Sequence, residues 1–549
     1  MALEPRRSER MGRDVTNWQD RIKQGLAGGP VNRVGHDDDH PTDEQARSHL
    51  TKAHEWTKAR QIEREKLQKY GVYTIVQKHH IPEGLQPVDT KWVYDVKKDA
   101  SGNITRYRAR KVGRGFTQEY GLNFHETFSQ MARSESWRIL LTLAINHGWE
   151  VLQWDVKAAY LQADLKHEIY VKDLTETGET EYWKLHKALY GLKQAGHEWY
   201  NRMRTIMTSA GLTQCIGDPG CFKGLGIIVS THVDDMAGYG TPLALTTFEK
   251  AVEQEVELEK LGRPTKLLGM ELEWKNGSVK LTQRDSIGKM MKEHNIPIAS
   301  NKSIPLDPSG YTKPEVGRDE PLTPIATTKY QSLVGSLLYI NRMTRPNISL
   351  HVNLLGRRTS KPGNNNLRMA RQLGQYLAST IEEGLTVKKG NPEDQIVLYA
   401  DASYGGENSR SQSGSLVTLY GTPVMWNSRR QDVVSMSITE AEYIACSETA
   451  KDSQWISQLL KELGINKNGI HLIPIMYTDN EAALKLTKTQ TFHRRTRHIE
   501  HRFHYIRELV DQKTIQITGI KSKINPADPL TKLLPMSSIG RWKTEISIG

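Results

Sequence analysis

The sequence predicts a mixed α+β protein of about three or four domains, in which two separate sheets present sets of carboxylates. Three observations carry this expectation. The chain is 549 residues long, more than one hydrophobic core organises. Its texture changes twice, from a polar opening stretch to strand-like runs at Tyr70, and again at IVLYADAS (396–403), where strands begin to alternate with helical segments. Acids then stand at or just beyond apolar runs in two groups: Asp155 in WDVKAAY with Asp234 and Asp235 in THVDDM, and Asp401 in VLYADASY with Glu442 in SITEAEYIA, Asp479 in IMYTDNEAALKL and Asp528 in INPADPLTK. Such groups of hard oxygen ligands are what a protein needs to hold magnesium over a phosphodiester.

Residues 1–68 carry RRSER, the acidic run HDDDH and few large apolar side chains, which predicts a disordered, charged leader ending in a charged helix near 43–69. HDDDH reads as a solvated charge run rather than a metal site. From Tyr70 the strand-like segments are VYTIV (72–76), KWVYDVKK (91–98) and RYRARKVG (106–113), and the turn residues ASGN (100–103) join the last two into a hairpin. SWRILLTLAINH (136–147) has helical apolar spacing. VLQWDV (151–156) and GIIVSTHV (226–233) are apolar strands that deliver Asp155 and the Asp234–Asp235 pair. A lone Asp at a strand end is usually a turn former. Two adjacent acids between apolar segments are different, because they repel each other unless a cation lies between them.

Proline-bearing stretches at 297–308 and 313–324 read as connecting loops, with helices near 327–340 and 364–379. After IVLYADAS the pattern predicts strands near 412–420 and 423–427, a helix from Ser437 to about Leu463, a strand at 473–478, helices at 480–486 and 498–511, and a strand at 514–520. That is a compact mixed-sheet domain. No internal repeat is visible.

Lys and Arg number 75 against 63 Asp and Glu, a net charge of +12 and a pI near 9.2, so the surface attracts phosphate backbones at moderate salt. The three cysteines, Cys215, Cys221 and Cys446, have neither zinc nor disulfide spacing, which fits structural thiols in a reducing compartment. No apolar run reaches the roughly 18 residues of a membrane span, and MALEPRRSERMGR lacks the apolar core of a signal peptide. A cytoplasmic or nuclear protein with no membrane partner is expected.

Taken in order, KWVYDVKKDASGNITRYRARKVGRGFTQ, ETFSQMARSESWRILLTLA, QWDVKAAYLQADL, ALYGLKQAGHEWY, HVDDM, KLLGMELEW, YQSLVGSLLYINRMTRPNI, SQSGSLVTLYGTPVMWNSRRQ, ITEAEYIA, TRHIEHRFHYIREL and NPADPLTK resemble the reverse transcriptase and RNase H portion of copia-type LTR retrotransposon polyproteins, from about Tyr70 to Leu534. The resemblance implies a right-hand polymerase of fingers, palm and small thumb followed by an RNase H-like α/β domain. It divides the chain into a leader at 1–68, fingers and palm at 69–275, thumb or connection at 276–394, RNase H at 395–535 and a tail at 536–549. It implies RNA-directed DNA synthesis with degradation of the copied RNA. The partners are then an RNA template, a DNA primer, RNA–DNA hybrid, deoxynucleoside triphosphates and other products of the polyprotein, within a cytoplasmic virus-like particle.

By the same resemblance Asp155, Asp234 and Asp235 form the polymerase metal triad, and Asp401, Glu442, Asp479 and Asp528 form the RNase H site, each holding two Mg2+, or Mn2+ in its place. Tyr160 takes the place of an aromatic beneath the incoming sugar, where a flat ring clashes with a 2′-hydroxyl. Gln194 falls where such polymerases contact the nucleotide, Arg110 and Lys111 fall in the hairpin that grips the triphosphate, and residues 267–272 fall in the hairpin that grips the primer end. Glu440 competes with Glu442, but two helical positions are about 200° apart, so both cannot face one metal site. The basic segment 493–507 reads as a nucleic-acid-facing helix rather than a zinc site of His498, His501 and His504.

The chain departs from the family pattern at His232, Gln130, Gly196–Glu198, Ala237 and Gly238. No capsid, protease or integrase segment is recognisable, while PRRSER resembles the basic stretch that closes integrase, which points to a piece of a larger product or a truncated frame. Two other readings stand beside the enzyme: an inactive or domesticated copy that binds nucleic acid, and a nuclease without polymerase function.

Overall fold

The computed structural model describes residues 40–98, 103–297, 305–306, 319–392, 395–405, 410–467, 470–488 and 500–549. They fall into two compact units, Met1–Ser129 with Ala158–Met203, and Gln130–Lys157 with Arg204–Gly549. The proline-bearing loops lie largely outside the described residues.

The first unit is built on a five-stranded sheet in the order Tyr73–Val76, Thr180–Lys187, Asp164–Leu174, Val88–Lys98, Ile104–Gly113. The last two strands form the expected hairpin, with Trp92 opposite Lys111 and Tyr94 opposite Ala109. The charged helix expected near 43–69 is two helices, Asp43–Ser48 and Ala53–Lys69. The first begins at a capping box in which Thr42 and Gln45 satisfy each other's backbone N–H groups. Trp56 of the longer helix is fully buried edge-on against Tyr94 and Tyr107, at 5.2 and 4.7 Å between ring centroids. This end of the expected leader is therefore packed on the hairpin through Ala46, Trp92, Val96 and Ala109.

The second unit opens with helix α1 (Ser134–His147) and a six-stranded sheet of β1 (Glu150–Val156), β2 (Thr213–Gln214), β3 (Cys221–Gly224), β4 (Ile227–His232), β5 (Asp235–Gly240) and β6 (Leu258–Gly262), in the order β6-β1-β5-β4-β3-β2. Helix α2 (Pro242–Glu253) connects β5 to β6. Of the small residues Ala237 and Gly238, the glycine has a packing reason. A Cβ at Gly238 would stand 2.7 Å from the Trp154 ring and 2.8 Å from Leu245 of α2, so those side chains fill the space the strand leaves.

A four-stranded sheet follows, β7 (Lys266–Leu267), β8 (Met270–Lys275), β9 (Ser278–Thr282) and β10 (Leu385–Lys388). Between β9 and β10 lie α3 (Arg284–Glu293), α4 (Pro324–Met343), α5 (Ser349–Gly356) and α6 (Asn364–Ser379), packed through Ile287, Leu333, Leu337, Val352 and Leu373. The last sheet contains β11 (Ile396–Ser403), β12 (Gln412–Leu419), β13 (Thr422–Arg430), β14 (Ile475–Thr478) and β15 (Gln516–Gly519), in the order β13-β12-β11-β14-β15. The first three strands pair antiparallel, and β14 and β15 add in parallel. This is the compact mixed sheet that the sequence predicts. Helix α7 (Ile438–Leu463) covers the sheet, with α8 (Glu481–Lys488) and α9 (Glu500–Asp511) beside it. The segment expected as a tail contains α10 (Met536–Glu545), whose Trp542, with Ile546 and Ile548, packs on Leu416 and Leu530.

One apolar cluster runs from α1 (Trp137, Leu140, Leu143) into the last sheet and α7 (Leu398, Val417, Ile456, Leu460). The six-stranded sheet and the last sheet of this unit therefore share a core.

Candidate metal and nucleotide sites

Asp401 lies on β11, and continuing the parallel register of Tyr399 opposite Tyr477 brings Asp479, just past β14, opposite it. Glu442 reaches the same place from the second turn of α7. One carboxylate oxygen from each of Asp401, Glu442 and Asp479 lies within 4.8 Å of the others, among the described residues the one group of three such ligands. Asp401 is fully buried and Glu442 nearly so. Asp401 Oδ1, Glu442 Oε2 and Asp479 Oδ1 are buried without a hydrogen-bond partner.

Burial pushes the Asp401 carboxyl up to about 6, with the charge of Lys532 pulling it back. Burial, then the charges of Asp401 and Asp479, push Glu442 up to about 9. Three desolvated carboxylates this close cannot all ionise unless a cation replaces the lost hydration. Unpartnered oxygens aimed at one another are therefore a fit for a divalent metal.

Asp528 stands beside this trio and outside it. Its Oδ1 is 2.5 Å from Lys532 Nζ, which is 3.8 Å from Asp401 Oδ2, and the Thr531 hydroxyl donates to that same Asp401 oxygen. Glu440 works at the start of α7: its Oε2 accepts from the Met436 N–H at 2.7 Å, and Ser437 Oγ accepts from the Glu440 N–H at 3.2 Å. The helix start thus uses the Glu440 carboxylate locally, and Glu442 is the helix acid that the fold brings to Asp401.

The second acid set is more open. Asp155 on β1 sits directly opposite Asp235 on β5, and Asp235 is opposite His232 across the β4–β5 turn. The turn residues are Val233 and the exposed Asp234, whose carbonyl accepts from Val156 N at 2.9 Å. Val233 has φ +61, a left-handed conformation unfavourable for a β-branched residue and of the kind found at functional turns. Burial and the neighbouring Asp234 raise the pKa of Asp235, and Gln153 Nε2 donates to its Oδ1 at 3.3 Å. A groove of about 410 Å3 runs past Asp235 and Gln153 to Lys266, Leu268 and Gly269 of the β7–β8 turn.

In the first unit, Tyr160 occupies a short helical turn, Ala159–Gln162, its ring edge-on to Tyr190 at 5.8 Å. Gln194 is 2 % exposed; its amide donates to Asn123 O at 2.9 Å and its Oε1 accepts from Gln118 at 3.0 Å. Its side chain thus holds the 118–123 loop instead of facing a nucleotide.

The expectation that Arg110 and Lys111 act together is corrected, because successive strand residues point to opposite faces. Lys111 is buried, ion-paired with the buried Asp173 and 4.7 Å from the Trp92 ring centroid. Arg110 lies 5.7 Å from the Tyr190 centroid, with Nε buried and unpartnered. Its companions are Arg108 and Lys66, the latter with Nζ 3.3 Å from Tyr190 OH. Burial lowers the pKa of Lys66 and Arg108, and raises that of the adjacent Glu63. Glu63, 3.7 Å from Lys66 Nζ, offsets part of this crowding of cations, and the remainder favours a further anion. The alternation of Arg106, Arg108 and Arg110 was a readable signal for the face. Nothing local marked Lys66, because only packing brings its helix there.

At the departure Gly196–Glu198, His197 Nδ1 donates to Phe128 O at 2.7 Å and Nε2 lies 3.1 Å from Glu126, so the ring ties down the loop before Ser129. Of the basic segment, His498 and Arg494, Arg495 and Arg497 lie outside the described residues. Arg507 donates to Leu486 O at 3.0 Å, packing α9 on α8.

Residues 70–308 match the family described as reverse transcriptase (RNA-dependent DNA polymerase). That segment belongs to the reverse transcriptase family. The likeness continues along the chain into copia-type retrotransposon Pol proteins. The chain is 35% identical over 501 residues to the Retrovirus-related Pol polyprotein from transposon TNT 1-94 of Nicotiana tabacum, covering 87% of this chain and 36% of that protein. It is 31% identical over 478 residues to the polyprotein from transposon RE1 of Arabidopsis thaliana (85% and 32%), and 26% identical over 473 residues to the Ty1-LR2 Gag-Pol polyprotein of Saccharomyces cerevisiae (82% and 26%). The chain thus spans about a third or less of the length of these relatives. Among solved structures, a foamy viral protease-reverse transcriptase in complex with double-stranded DNA aligns with TM-score 0.46 at 10% identity, over 85% of this chain and 69% of that one. Among the described residues no helix is long and apolar enough to cross a membrane.

Proposed function

We propose that this reverse transcriptase segment is a working RNA-directed DNA polymerase and that the RNase H-like domain degrades the RNA of the resulting hybrid. The observation that carries the reading is the buried trio of Asp401, Glu442 and Asp479, whose unpartnered oxygens suit a cation and nothing else nearby. An inactive frame kept only to bind nucleic acid has no use for three desolvated carboxylates.

Asp401, Glu442, Asp479 and Asp528 would hold Mg2+, or Mn2+ in its place, at the hybrid, and Asp155, Asp234 and Asp235 would hold it at the primer end. In both places the metal supplies Lewis acidity and charge at the reacting phosphate. The chain's own residues do the rest. Asp155 and Asp235, fixed opposite each other by strand pairing, set the ligand spacing. The β7–β8 turn borders the groove where the primer end would lie. Tyr160 limits space beneath the sugar, and Arg110, Arg108 and Lys66 receive the triphosphate through forked and point-charge contacts.

The partners are an RNA template, a DNA primer, RNA–DNA hybrid and deoxynucleoside triphosphates, with other Pol products in a particle. Primer extension on a homopolymer RNA template with Mg2+, alongside cleavage of a labelled hybrid, tests the reading. Wild-type protein should do both, and inactivity in both assays sinks it.

A further inference from the structure

The two oxygens of Asp401 meet different surroundings. Oδ1 is buried without a hydrogen-bond partner, as are Glu442 Oε2 and Asp479 Oδ1 of the same trio. Oδ2 accepts from the Thr531 hydroxyl and lies 3.8 Å from Lys532 Nζ, and that ammonium is 2.5 Å from Asp528 Oδ1. Lys532 therefore stands between two carboxylates, one of which also belongs to the trio. Cleavage of a phosphodiester by paired metals needs two cation positions a few ångströms apart. Here a side chain fills one of them.

The acids of this second position are fixed, and the cation is not. Asp401 lies on β11, and the turn that carries Asp528 is tied to the same strand, because Asn525 Nδ2 donates to Ala400 O at 3.0 Å and Thr531 donates to Asp401. Trp542 of α10 holds that turn from the other side, donating from Nε1 to Pro526 O at 2.9 Å. Lys532 reaches its place through a flexible four-carbon stem, and its side chain is 44 % exposed. An ion pair open to water to that degree exchanges readily. Burial drives the Asp401 and Glu442 carboxyls up, and the charge of Lys532 pulls both back, so the ammonium does for these acids part of what a divalent ion would do.

We propose that Lys532 is a placeholder for one of two metal ions: its ammonium holds the position between Asp401 Oδ2 and Asp528, and a divalent ion takes that position only by displacing it. The first ion meets the unpartnered trio directly. The second competes with a tethered cation and is the more weakly held. The inference rests on the metal site proposed above.

Lys532→Met keeps a long flexible stem and removes the charge, whereas Lys532→Arg keeps a charge. Bound Mn2+ is counted on the substrate-free proteins from the loss of the free-ion paramagnetic resonance signal, with Glu442→Gln as the reference for the trio. The polymerase acids are the same in every protein compared, so a difference in count reports on the Asp401 site. Lys532→Met should bind one Mn2+ more than wild type, Lys532→Arg the same number as wild type, and Glu442→Gln fewer. The Mg2+ concentration for half-maximal hybrid cleavage should fall at least about fivefold in Lys532→Met, the small end of ordinary coupling between two bound ligands. Equal Mn2+ counts in wild type and a cooperatively melting Lys532→Met protein would overturn the placeholder and leave the trio standing as a metal site. Equal counts in wild type and Glu442→Gln would remove the metal site itself, and the placeholder with it.

Discussion

Asp401, Glu442 and Asp479 come from three elements that a shared core clamps together, whereas Asp155, Asp234 and Asp235 come from adjacent strands and a tight turn whose tip is exposed. The first set is complete before any ligand arrives. Its cost is electrostatic, and a proton or a cation removes it. The second is more open: strand pairing fixes two acids, while the third stands exposed at the tip of the turn. A degradative site can be prebuilt because its substrate is a regular duplex. A polymerising site has to admit a new nucleotide at every cycle.

The comparison breaks most visibly at the acids themselves. Asp401→Asn should lower hybrid cleavage at least about 100-fold, beyond the 10–100-fold typical of groups one shell out from a metal, and leave primer extension intact. Asp234→Asn should do the reverse. Parallel assays on both folded variants check it, and joint loss of the two activities in either one would merge the sites.

On the open side, Tyr160→Val should raise the ratio of ribo- to deoxynucleotide incorporation by about 10–100-fold, each 1.4 kcal/mol of lost clash being about tenfold. Unchanged ratios in single-nucleotide extension would return the ring to packing against Tyr190.

The closed side should betray itself without substrate. Burial raises the folded pKa of Asp401 to about 6 and of Glu442 to about 9. A carboxyl raised in this way is most favourable protonated, so metal-free stability is greatest below the unfolded values and falls as pH rises through about 6 and towards 9. Mg2+ should therefore raise Tm more at pH 8 than at pH 5. Glu442→Gln should raise the metal-free Tm at pH 8 by roughly 3 °C or more and abolish most of the Mg2+ response. Thermal melts with and without chelator decide it, and an equal Mg2+ effect at both pH values would count against a cation in the trio.

Smaller again, Lys66→Ala should raise KM for the nucleotide about 5–10-fold with kcat nearly unchanged, the loss of one phosphate contact. Lys111→Met instead leaves the buried Asp173 with only Arg64 at 3.6 Å and the Thr90 hydroxyl, and should reduce stability by up to about 3 kcal/mol. Steady-state kinetics and denaturant melts on the pair separate the two faces of the hairpin. Smallest, Glu440→Gln should cost about 1 kcal/mol at most through the helix start, with hybrid cleavage within a few-fold of wild type. A larger loss than for Glu442→Gln would move the helix ligand.

Much of this was legible in the sequence because it is local. Acids at the ends of apolar runs announced both sites, and the 412–430 and 438–463 patterns announced the sheet and helix that carry the second. What stayed hidden depends on neighbours distant in sequence. Lys111 has the composition of a phosphate ligand, but strand parity turns it to Asp173. Lys66 reaches Tyr190 only because Trp56 seats its helix on the hairpin. Asp528 has the right spacing, but Lys532 holds it beside the trio. Gly238 departs from the family pattern, and only Trp154 and Leu245 show why no side chain fits there.

The bond from Arg138 to Val424 spans 286 residues. During synthesis at about 5–20 residues per second, helix α1 therefore leaves the ribosome roughly 15–60 s before the strand that covers it. Its apolar cluster, Trp137, Leu140 and Leu143, gains Val151, Ala237 and Tyr239 from the six-stranded sheet early, but Leu398 and Val417 arrive only at the end of that interval. A nascent chain of this kind invites chaperone binding throughout that interval, and a transcript truncated before residue 396 would release a polymerase portion that is sticky along α1.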